Sequence, residues 1–367
     1  MRKRWMPLTL ALALLACGAQ SGAETLPYPI RLPKGFQLSV FASGLEGVRM
    51  MALSPQGDLT VTQPRAGRVL ILPDRNGDGK ADRTLVFAKD LNRPHGLAWR
   101  DGDLYVAETG AVVKLSDADG DGIAEIKQTI TRDLPEGGMH WTRTLGFGPD
   151  GYLYVSVGSS CNVCVEEDRR RATILRFKPD GSDLTIYARG LRNAVGFAWD
   201  PTTKELWATE NSRDRLGNDI PPDELNQIKF GSHYGWPYCY GNRQPDPAHD
   251  EADFCARTEP MGLAFQAHSA PLGIAFYTGK QFPAEYQGDA FVAFHGSWDR
   301  NPPTGYKVVR VRFENGKPKR YEDFATGWLR GRTDWGRPVD VLTAPDGSLF
   351  VSDDAGGRIY RITYGRK

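Results

Sequence analysis

The segment from residue 145 to residue 155 has the sequence LGFGPDGYLYV, in which two alternating apolar strands flank a Pro-Asp-Gly turn. Five related segments occur at residues 50–61, 96–106, 195–208, 272–294 and 341–351, so the unit is present in six copies. Several copies continue into a further strand, as at residues 67–72 and 172–177. A unit repeated along a chain indicates a repeat architecture. The sequence therefore predicts an all-β, six-bladed β-propeller, with a pair of β-sandwiches as the alternative.

The composition is consistent with such a fold. Among 367 residues there are 41 Gly and 25 Pro, which is too much turn-forming sequence for a mostly helical protein. Hydrophobic residues make up 40% and charged residues 25%, as in folded globular chains. The 46 Lys and Arg residues nearly balance the 45 Asp and Glu residues. Without a basic block there is no electrostatic basis for nucleic-acid binding.

The N-terminus has the pattern of an export signal. Arg2, Lys3 and Arg4 precede an apolar run at residues 7–16, which is too short to span a bilayer. We expect a signal peptide over residues 1–23, then a single propeller domain over residues 24–367, and a periplasmic or secreted protein. The alternative is a lipoprotein signal over residues 1–16, because the LLAC sequence ending at Cys17 resembles a lipobox. Only lipidation at Cys17 would attach the protein to a membrane.

Four further cysteines fit an oxidising compartment. Their even number and local spacing predict two disulfides, Cys161–Cys164 and Cys239–Cys255. A Cys-x-x-Cys pair also binds metal or haem in some proteins. Here Val165 stands where c-type haem attachment requires His, and no second pair has zinc-site spacing. The sequence therefore argues against metal or haem at Cys161 and Cys164.

Two short segments have the ligand spacing of calcium loops. Residues 74–82 (DRNGDGKAD) and 117–125 (DADGDGIAE) place oxygen ligands at positions 1, 3, 5 and 9 around glycines. The flanks read as strands, and the Glu at position 12 of an EF-hand is absent. We expect structural Ca²⁺ clips between outer strands, with solvated acidic turns as the alternative. The candidate side-chain ligands are Asp74, Asn76, Asp78, Asp82, Asp117, Asp119, Asp121 and Glu125.

Arg and His residues recur at one position of the repeat, just before the innermost strand of each blade. In a propeller these positions converge on the central channel. A ring of such side chains predicts a cationic, hydrogen-bonding site for a small anionic ligand. The residues at this position are Arg49, His95, His140, Arg192–Asn193, His268–Ser269 and Arg337.

The surrounding motifs resemble a known family. Residues 138–151 (GMHWTRTLGFGPDG), 190–198 (GLRNAVGFA), and 223–226 (DELN) leading to 234–237 (YGWP) are similar to the soluble PQQ-dependent glucose/aldose dehydrogenases and their sorbosone-dehydrogenase-like relatives. The resemblance covers essentially the whole mature chain. It implies a propeller that holds pyrroloquinoline quinone (PQQ) and Ca²⁺ on one face. The implied reaction oxidises an aldose or a sugar-derived aldehyde by hydride transfer to PQQ, and electrons pass to a separate acceptor, a quinone or a cytochrome.

The resemblance also assigns roles to individual residues. It implies that His140 is the general base that takes the proton of the sugar C1 hydroxyl. Arg192 would stabilise negative charge on the reduced cofactor, and Asn193 would hydrogen-bond the same edge. Arg337 would pair with a cofactor carboxylate, and His95 would be a polar cofactor contact.

The chain departs from the family pattern at three places. The family's Ca²⁺ is held by backbone carbonyls that correspond to Ser212 and Arg213. A longer loop at residues 213–222 leaves open whether these two residues are the true counterparts of the family's ligands. A family lysine has no counterpart, and His295 or Arg300 is a candidate replacement. A second arginine is replaced by Val339. The predicted disulfide ring at residues 161–164 either edges the substrate site or acts as a loop staple.

Two other functions fit a propeller. A non-catalytic propeller that binds sugars or protein partners would keep the fold without the cofactor. A metal-dependent hydrolase of the lactonase type would need several carboxylates on a channel metal. Arg and His occupy the ring positions here, which argues against the hydrolase.

Overall fold

A computed structural model describes residues 25–249 and 251–365. The predicted signal peptide, the lipobox alternative and Cys17 therefore lie outside the described residues. Six four-stranded antiparallel sheets make up the described chain, together with two two-stranded hairpins. The prediction of an all-β, six-bladed β-propeller is confirmed.

The strands of the first three blades follow one another in chain order after an initial strand. That initial strand is β1 (Phe36–Ala42). The first blade contains β2 (Met51–Leu53), β3 (Leu59–Gln63), β4 (Arg68–Leu72) and β5 (Leu85–Ala88). The second contains β6 (Leu97–Arg100), β7 (Asp103–Ala107), β8 (Val112–Ser116) and β9 (Ile126–Thr131). The third contains β10 (Leu145–Phe147), β11 (Leu153–Val157), β12 (Thr173–Phe177) and β13 (Thr185–Arg189).

The last three blades carry the insertions. The fourth blade starts with β14 (Phe197–Trp199), β15 (Leu206–Glu210) and β16 (Asp223–Ile228), and an insertion of β17 (Cys239–Tyr240), β18 (Gln244–Pro245) and α1 (Ala252–Cys255) precedes its outer strand β19 (Leu263–Phe265). The fifth contains β20 (Pro271–Phe276), a 3₁₀ turn (Ala284–Tyr286), β21 (Ala290–Phe294), β22 (Lys307–Glu314) and β23 (Lys317–Thr326). After the hairpin β24 (Leu329–Arg330) and β25 (Thr333–Asp334), the sixth contains β26 (Pro338–Thr343), β27 (Leu349–Asp353) and β28 (Arg358–Tyr364).

The ring closes because the first strand completes the last blade. Strand β1 pairs with β28 in antiparallel register, with Phe36 opposite Tyr364 and Leu38 opposite Ile362. The first and the last of the described strands are thereby held in one sheet. A closed ring of short blades leaves few exposed strand edges, which lowers the risk of edge-to-edge aggregation.

The repeated turn explains why each copy forms a strand pair. In residues 145–155, Leu145 pairs with Val155 across the turn. Gly151 has a φ of +80°, a conformation that favours glycine, and its N–H donates to Gly148 O at 2.9 Å. The Asp150 carboxylate accepts from the Tyr152 N–H at 3.2 Å. The apolar positions then face the core, where Leu153 and Val155 are fully buried.

Hydroxyl groups fasten neighbouring blades at the innermost strands. Thr62 Oγ1 donates to His95 O at 2.8 Å, Thr209 Oγ1 to Leu272 O at 2.8 Å, and Ser352 Oγ to Arg49 O at 2.6 Å. Each bond joins one blade to the next around the ring. Two of them hold the backbone of predicted ring residues, so the blade contacts position the functional face.

Both predicted disulfides are confirmed. Cys161–Cys164 has an S–S distance of 1.98 Å and follows β11. Cys239–Cys255 has an S–S distance of 2.04 Å and ties β17 to α1. Among the described residues, no helix has the length and apolar character needed to cross a bilayer.

Candidate functional site

Most of the ring residues, with the exception of His95 and Ser269, line two neighbouring cavities at the starts of the innermost strands. The His140 cavity has a volume of about 240 Å³, and the Arg49 cavity about 430 Å³. They are neighbours because consecutive residues, His140 and Trp141, line one cavity each. The His140 cavity is lined by Met139, His140, Arg192, Asn193, Asn211, Ser212, Asp214, Asp223, His268, Ala270, Trp298 and Asp299. The Arg49 cavity is lined by Gly47, Arg49, Pro64, Arg65, Trp141, His295, Arg337, Asp354 and Ala355.

The hydrogen bonds of His140 determine its tautomer. Its Nδ1 lies 3.1 Å from Ser159 O and 2.9 Å from Ser159 Oγ. The Ser159 hydroxyl donates to Cys161 O at 2.7 Å, so its oxygen is left to accept. A carbonyl oxygen only accepts, and therefore Nδ1 carries the proton. The lone pair of Nε2 is left as the acceptor of His140.

The protonation state of His140 follows from its surroundings. Burial, followed by the positive charge of Arg192, lowers the pKa of His140 to about 3. The imidazole is therefore neutral over the physiological pH range. Gly158 permits this packing, since an added Cβ there would lie 2.5 Å from the His140 Cβ.

Arg192 is buried, and all five of its guanidinium N–H groups have protein acceptors. Nε donates to Asn162 O at 3.0 Å, and Nη1 to Asn211 O at 3.0 Å and Ser212 O at 2.9 Å. Nη2 donates to Asn162 Oδ1 at 2.9 Å and Asp214 Oδ2 at 2.8 Å. In this structure Arg192 provides a fixed positive charge beside His140 and holds the loop around Ser212. Its role toward a cofactor stays a prediction.

The disulfide loop at residues 161–164 supports both His140 and Arg192 through hydrogen bonds. Cys161 O fixes the hydroxyl of Ser159, and Asn162 accepts two hydrogen bonds from Arg192. Asn162 Oδ1 also accepts from the Asp214 N–H at 2.9 Å. Sequence reasoning missed Ser159 and Asn162, although their position beside the cysteines was a signal. The disulfide loop therefore does more than act as a staple, and its relation to a substrate stays a prediction.

The Arg49 cavity centres on Asp354, which sequence reasoning also missed. Arg49 Nη1 lies 2.7 Å from Asp354 Oδ2, and His295 Nε2 lies 2.9 Å from Oδ1. Burial alone would raise the pKa of Asp354, but the hydrogen bond from His295 and the charges of His295 and Arg49 hold it at about 2. Burial lowers the pKa of His295. Arg337 donates to His295 O at 3.1 Å and Gly296 O at 2.7 Å.

The charge of the Arg49 cavity is positive. Three guanidinium groups, of Arg49, Arg65 and Arg337, face the single carboxylate of Asp354. Arg49 Nε is buried without a hydrogen-bond partner among the described residues. A cavity with surplus cations and an unsatisfied donor suits an anion with more than one negative charge.

Only some of the other residues predicted to contact the cofactor line one of the two cavities. His95 is fully buried, packs edge-on against Trp141 at 5.4 Å, and lines neither cavity. Arg300 pairs with Asp219 at 2.9 Å and also lines neither cavity. Of the two candidates for the missing lysine, only His295 lies in the Arg49 cavity. Asn193 lines the His140 cavity, and its N–H donates to Glu210 Oε1 at 3.0 Å.

Buried acidic groups surround the proposed calcium carbonyls of Ser212 and Arg213. Burial raises the pKa of Asp223 to about 7, and its Oδ1 accepts from the Ser212 N–H at 3.0 Å. Burial also raises the pKa of Glu210, whose Oε2 has no partner among the described residues. The Arg213 side chain is occupied by Asp246 at 2.6 Å. An oxygen-rich neighbourhood with an unpartnered carboxylate oxygen fits a hard cation such as Ca²⁺.

The two predicted calcium loops have the same internal hydrogen bonds. Asp74 accepts from the Gly79 N–H at 3.0 Å, and Asp117 from the Gly122 N–H at 2.9 Å. They connect β4 to β5 and β8 to β9, the third and fourth strands of adjacent blades. Carboxylate oxygens from all four acidic residues of the second loop lie within 4.8 Å of one another. Calcium binding by either loop stays a prediction.

The structure is thus a six-bladed propeller in which a cationic cavity adjoins a neutral, oriented histidine. The chain belongs to the TrAA12-like family, whose sequence profile matches residues 30–365. Relatives in this family include a PQQ-dependent sugar dehydrogenase and an aldose sugar dehydrogenase, so the family resemblance inferred from the motifs is confirmed.

Individual relatives cover nearly the whole chain. An uncharacterized protein of Borreliella burgdorferi is 30% identical over 359 residues, 93% of each chain. A PQQ-dependent sugar dehydrogenase of Hypocrea jecorina is 27% identical and covers 97% of this chain and 96% of its own. The calcium structure of a Trichoderma reesei carbohydrate-active enzyme of family AA12 is 25% identical with a TM-score of 0.84, and covers 94% of this chain and all of its own.

The residues present fit the family's cofactor. PQQ is a small quinone with three carboxyl groups, and the Arg49 cavity offers surplus guanidinium groups for such an anion. Four buried polar atoms of the predicted ring residues have no partner in the described chain, namely Arg49 Nε, His95 Nε2, His268 Nδ1 and Ser269 Oγ. Of these, Arg49 Nε is a donor on a residue that lines the Arg49 cavity, where a bound anion could accept from it.

Proposed function

We propose that this protein is a PQQ- and Ca²⁺-dependent dehydrogenase that oxidises an aldose or a sugar-derived aldehyde. One observation carries the proposal, namely that a net-positive cavity adjoins a neutral His140 whose free acceptor is Nε2. The similarity to the PQQ-dependent sugar dehydrogenase of Hypocrea jecorina supports it. PQQ supplies a two-electron acceptor when bound.

The roles of the residues follow from their contacts. His140 Nε2 would accept the proton of the sugar hydroxyl, while Ser159 holds Nδ1 in its protonated form. Arg192 would act through its charge, because its N–H groups are already bonded to protein. A pKa near 3 makes His140 a weak base in the ligand-free protein. Negative charge in the neighbouring Arg49 cavity would raise that pKa and make proton transfer easier.

Binding of the cofactor falls to the Arg49 cavity. Arg49 and Arg337 would pair with its carboxylates, and Asn193 would bond its quinone edge from the other cavity. His295, oriented by Asp354, is the candidate replacement for the missing lysine, ahead of Arg300. His95 would act through Trp141. The carbonyls of Ser212 and Arg213 would hold Ca²⁺, with nearby buried carboxylates adding negative charge.

The partners and the location complete the proposal. Electrons would leave to a separate quinone or cytochrome. Two disulfides favour an oxidising compartment, in agreement with export to the periplasm or medium.

Reconstitution tests the function directly. The purified apo-protein is titrated with PQQ in the presence of Ca²⁺, binding is followed by absorbance, and dye reduction is measured with a panel of aldoses and sugar aldehydes. We expect stoichiometric binding and sugar-dependent dye reduction. Binding without dye reduction would favour the non-catalytic propeller, and lactone hydrolysis without PQQ would favour the hydrolase. If the protein shows no PQQ binding and no turnover, the proposal is overturned.

A further inference from the structure

Three side chains on the wall of the His140 cavity converge on one point. Asp214, His268 and Asp299 each offer one ligand atom, and these atoms lie within 4.8 Å of one another. All three side chains are largely buried, with exposed fractions of 12%, 2% and 11%. They come from three separate loops, so the fold rather than a local turn brings them together.

The tautomer of His268 leaves a lone pair facing this point. Its Nε2 lies 2.8 Å from Gly217 O, and a carbonyl only accepts, so Nε2 carries the proton. In the neutral imidazole Nδ1 is then an acceptor, and it is buried without a hydrogen-bond partner in the described chain. The atom nearest to it in the cluster, Asp299 Oδ1 at 3.7 Å, is also buried and unpartnered. When His268 is neutral, these two buried acceptors face one another, and a cation bound between them would satisfy both.

The surrounding charges do not supply that cation. Asp299 makes no ion pair with lysine or arginine in the part of the chain that the structure describes, and its Oδ2 accepts only the Arg215 N–H, at 3.3 Å. Arg192 binds Asp214 Oδ2 and leaves that carboxylate its second oxygen. Arg192 therefore pairs with only one of the two carboxylates of this cluster, and Asp299 keeps no cationic arginine or lysine partner among the described residues.

We propose that Asp214, His268 and Asp299 form a binding site for a divalent transition-metal ion of the Zn²⁺ class. Imidazole nitrogen is a ligand that Zn²⁺ favours and that Ca²⁺ and Mg²⁺ do not. Two ligands of a tetrahedral Zn²⁺ ion lie about 3.4 Å apart for bonds of about 2.1 Å, so the observed 3.7 Å needs only a small adjustment.

This site differs from the calcium site proposed above. The carbonyls of Ser212 and Arg213 are not among its ligands, and its ligand set contains nitrogen. Three protein ligands leave a fourth position open, as in catalytic rather than structural zinc sites. Because all three residues line the His140 cavity, that open position faces the same space as His140.

The test uses the full chain without quinone or sugar, so its outcome is independent of the dehydrogenase proposal. Chelator-treated protein is titrated with Co²⁺, because tetrahedral Co²⁺ absorbs strongly in the visible range whereas oxygen-bound octahedral Co²⁺ absorbs weakly. Zn²⁺ is then added in competition. We expect one equivalent of Co²⁺ with a tetrahedral spectrum, displacement by Zn²⁺, and no displacement by equimolar Ca²⁺.

Three variants assign the ligands. His268→Asn and Asp299→Asn should each weaken Co²⁺ binding at least tenfold. The control is Asp219→Asn, which removes an exposed carboxylate on the loop that carries Asp214. This variant should bind Co²⁺ as tightly as the native protein does. Native protein should also melt at a higher temperature with Zn²⁺, and the two ligand variants should not, while all fold without metal. Absence of the tetrahedral spectrum, unchanged affinity in both ligand variants, or equal competition by Ca²⁺ would overturn the proposal.

Discussion

The two cavities at the channel mouth carry opposite charge and differ in how completely their polar groups are paired. In the His140 cavity, the three carboxyl groups of Asp214, Asp223 and Asp299 outnumber the one guanidinium of Arg192. In the Arg49 cavity, three guanidinium groups outnumber the one carboxylate of Asp354. One cavity therefore favours a cation and the other an anion. A polyanionic cofactor together with a metal ion would neutralise both.

The pairing of polar groups separates positioning from binding. Every N–H of Arg192 already donates to a protein acceptor, and these hydrogen bonds hold the loops beside His140. Arg49 keeps a buried Nε without a partner in the described chain. A donor left unpaired in the free protein gains the most when a ligand arrives. We therefore expect substitutions in the His140 cavity to lower kcat and those in the Arg49 cavity to weaken cofactor binding.

The largest effect should come from His140→Gln, which removes the base and keeps a polar side chain of similar size. General-base catalysis contributes roughly 10²- to 10⁴-fold, so kcat should fall about 10³-fold while PQQ affinity changes little. Steady-state dye reduction and absorbance titration measure the two quantities. His233→Gln is the matched control, because burial also lowers the pKa of that histidine, to about 4, outside both cavities. Retained turnover in His140→Gln would show that another group is the base.

The second largest effect should be a loss of PQQ affinity when Arg49 in the other cavity is replaced. Arg49→Gln should weaken PQQ binding about 10- to 100-fold, because hydrogen bonds to charged groups contribute about 1.5–3 kcal/mol. Arg65→Gln removes an equal charge from an exposed side chain of the same cavity and should weaken binding less than about fivefold. Absorbance titration in low and high salt measures both. Equal losses in the two variants would mean that net charge, and not the buried unpaired donor, governs binding.

The sequence predicted the fold and the ring because both depend on periodic signals. Turn residues and alternating strands repeat six times, and the ring residues share one register with them. Ser159, Asn162 and Asp354 have no such register, and their importance comes from hydrogen bonds between loops distant in sequence. The lysine replacement could not be chosen from sequence either, because both His295 and Arg300 lie near the expected position. Only the tertiary arrangement places His295 in the cavity and Arg300 against Asp219.

A smaller effect should follow from Ser159→Ala, which acts on catalysis through His140. Loss of the hydroxyl removes one partner of Nδ1, but Ser159 O remains at 3.1 Å, so we expect a fall in kcat of about tenfold. KM should change little, and Ser159→Thr should restore most of the rate. Ser160→Ala is the control, since Ser160 Oγ bonds Glu166 at 2.8 Å instead of His140. Equal losses in Ser159→Ala and Ser160→Ala would indicate general loosening of the loop.

The last effect is on stability and its dependence on pH. The folded pKa of His140 is about 3, below the unfolded value of about 6.5, so the native protein binds fewer protons than the unfolded chain between these pH values. This group therefore makes stability fall as pH decreases from 6.5 toward 3. His140→Gln removes the contribution, and its urea unfolding free energy should decline less steeply over that window. Ser160→Ala should keep the native slope, and an unchanged slope in His140→Gln would mean that His140 titrates near its ordinary pKa and is not a desolvated, neutral base.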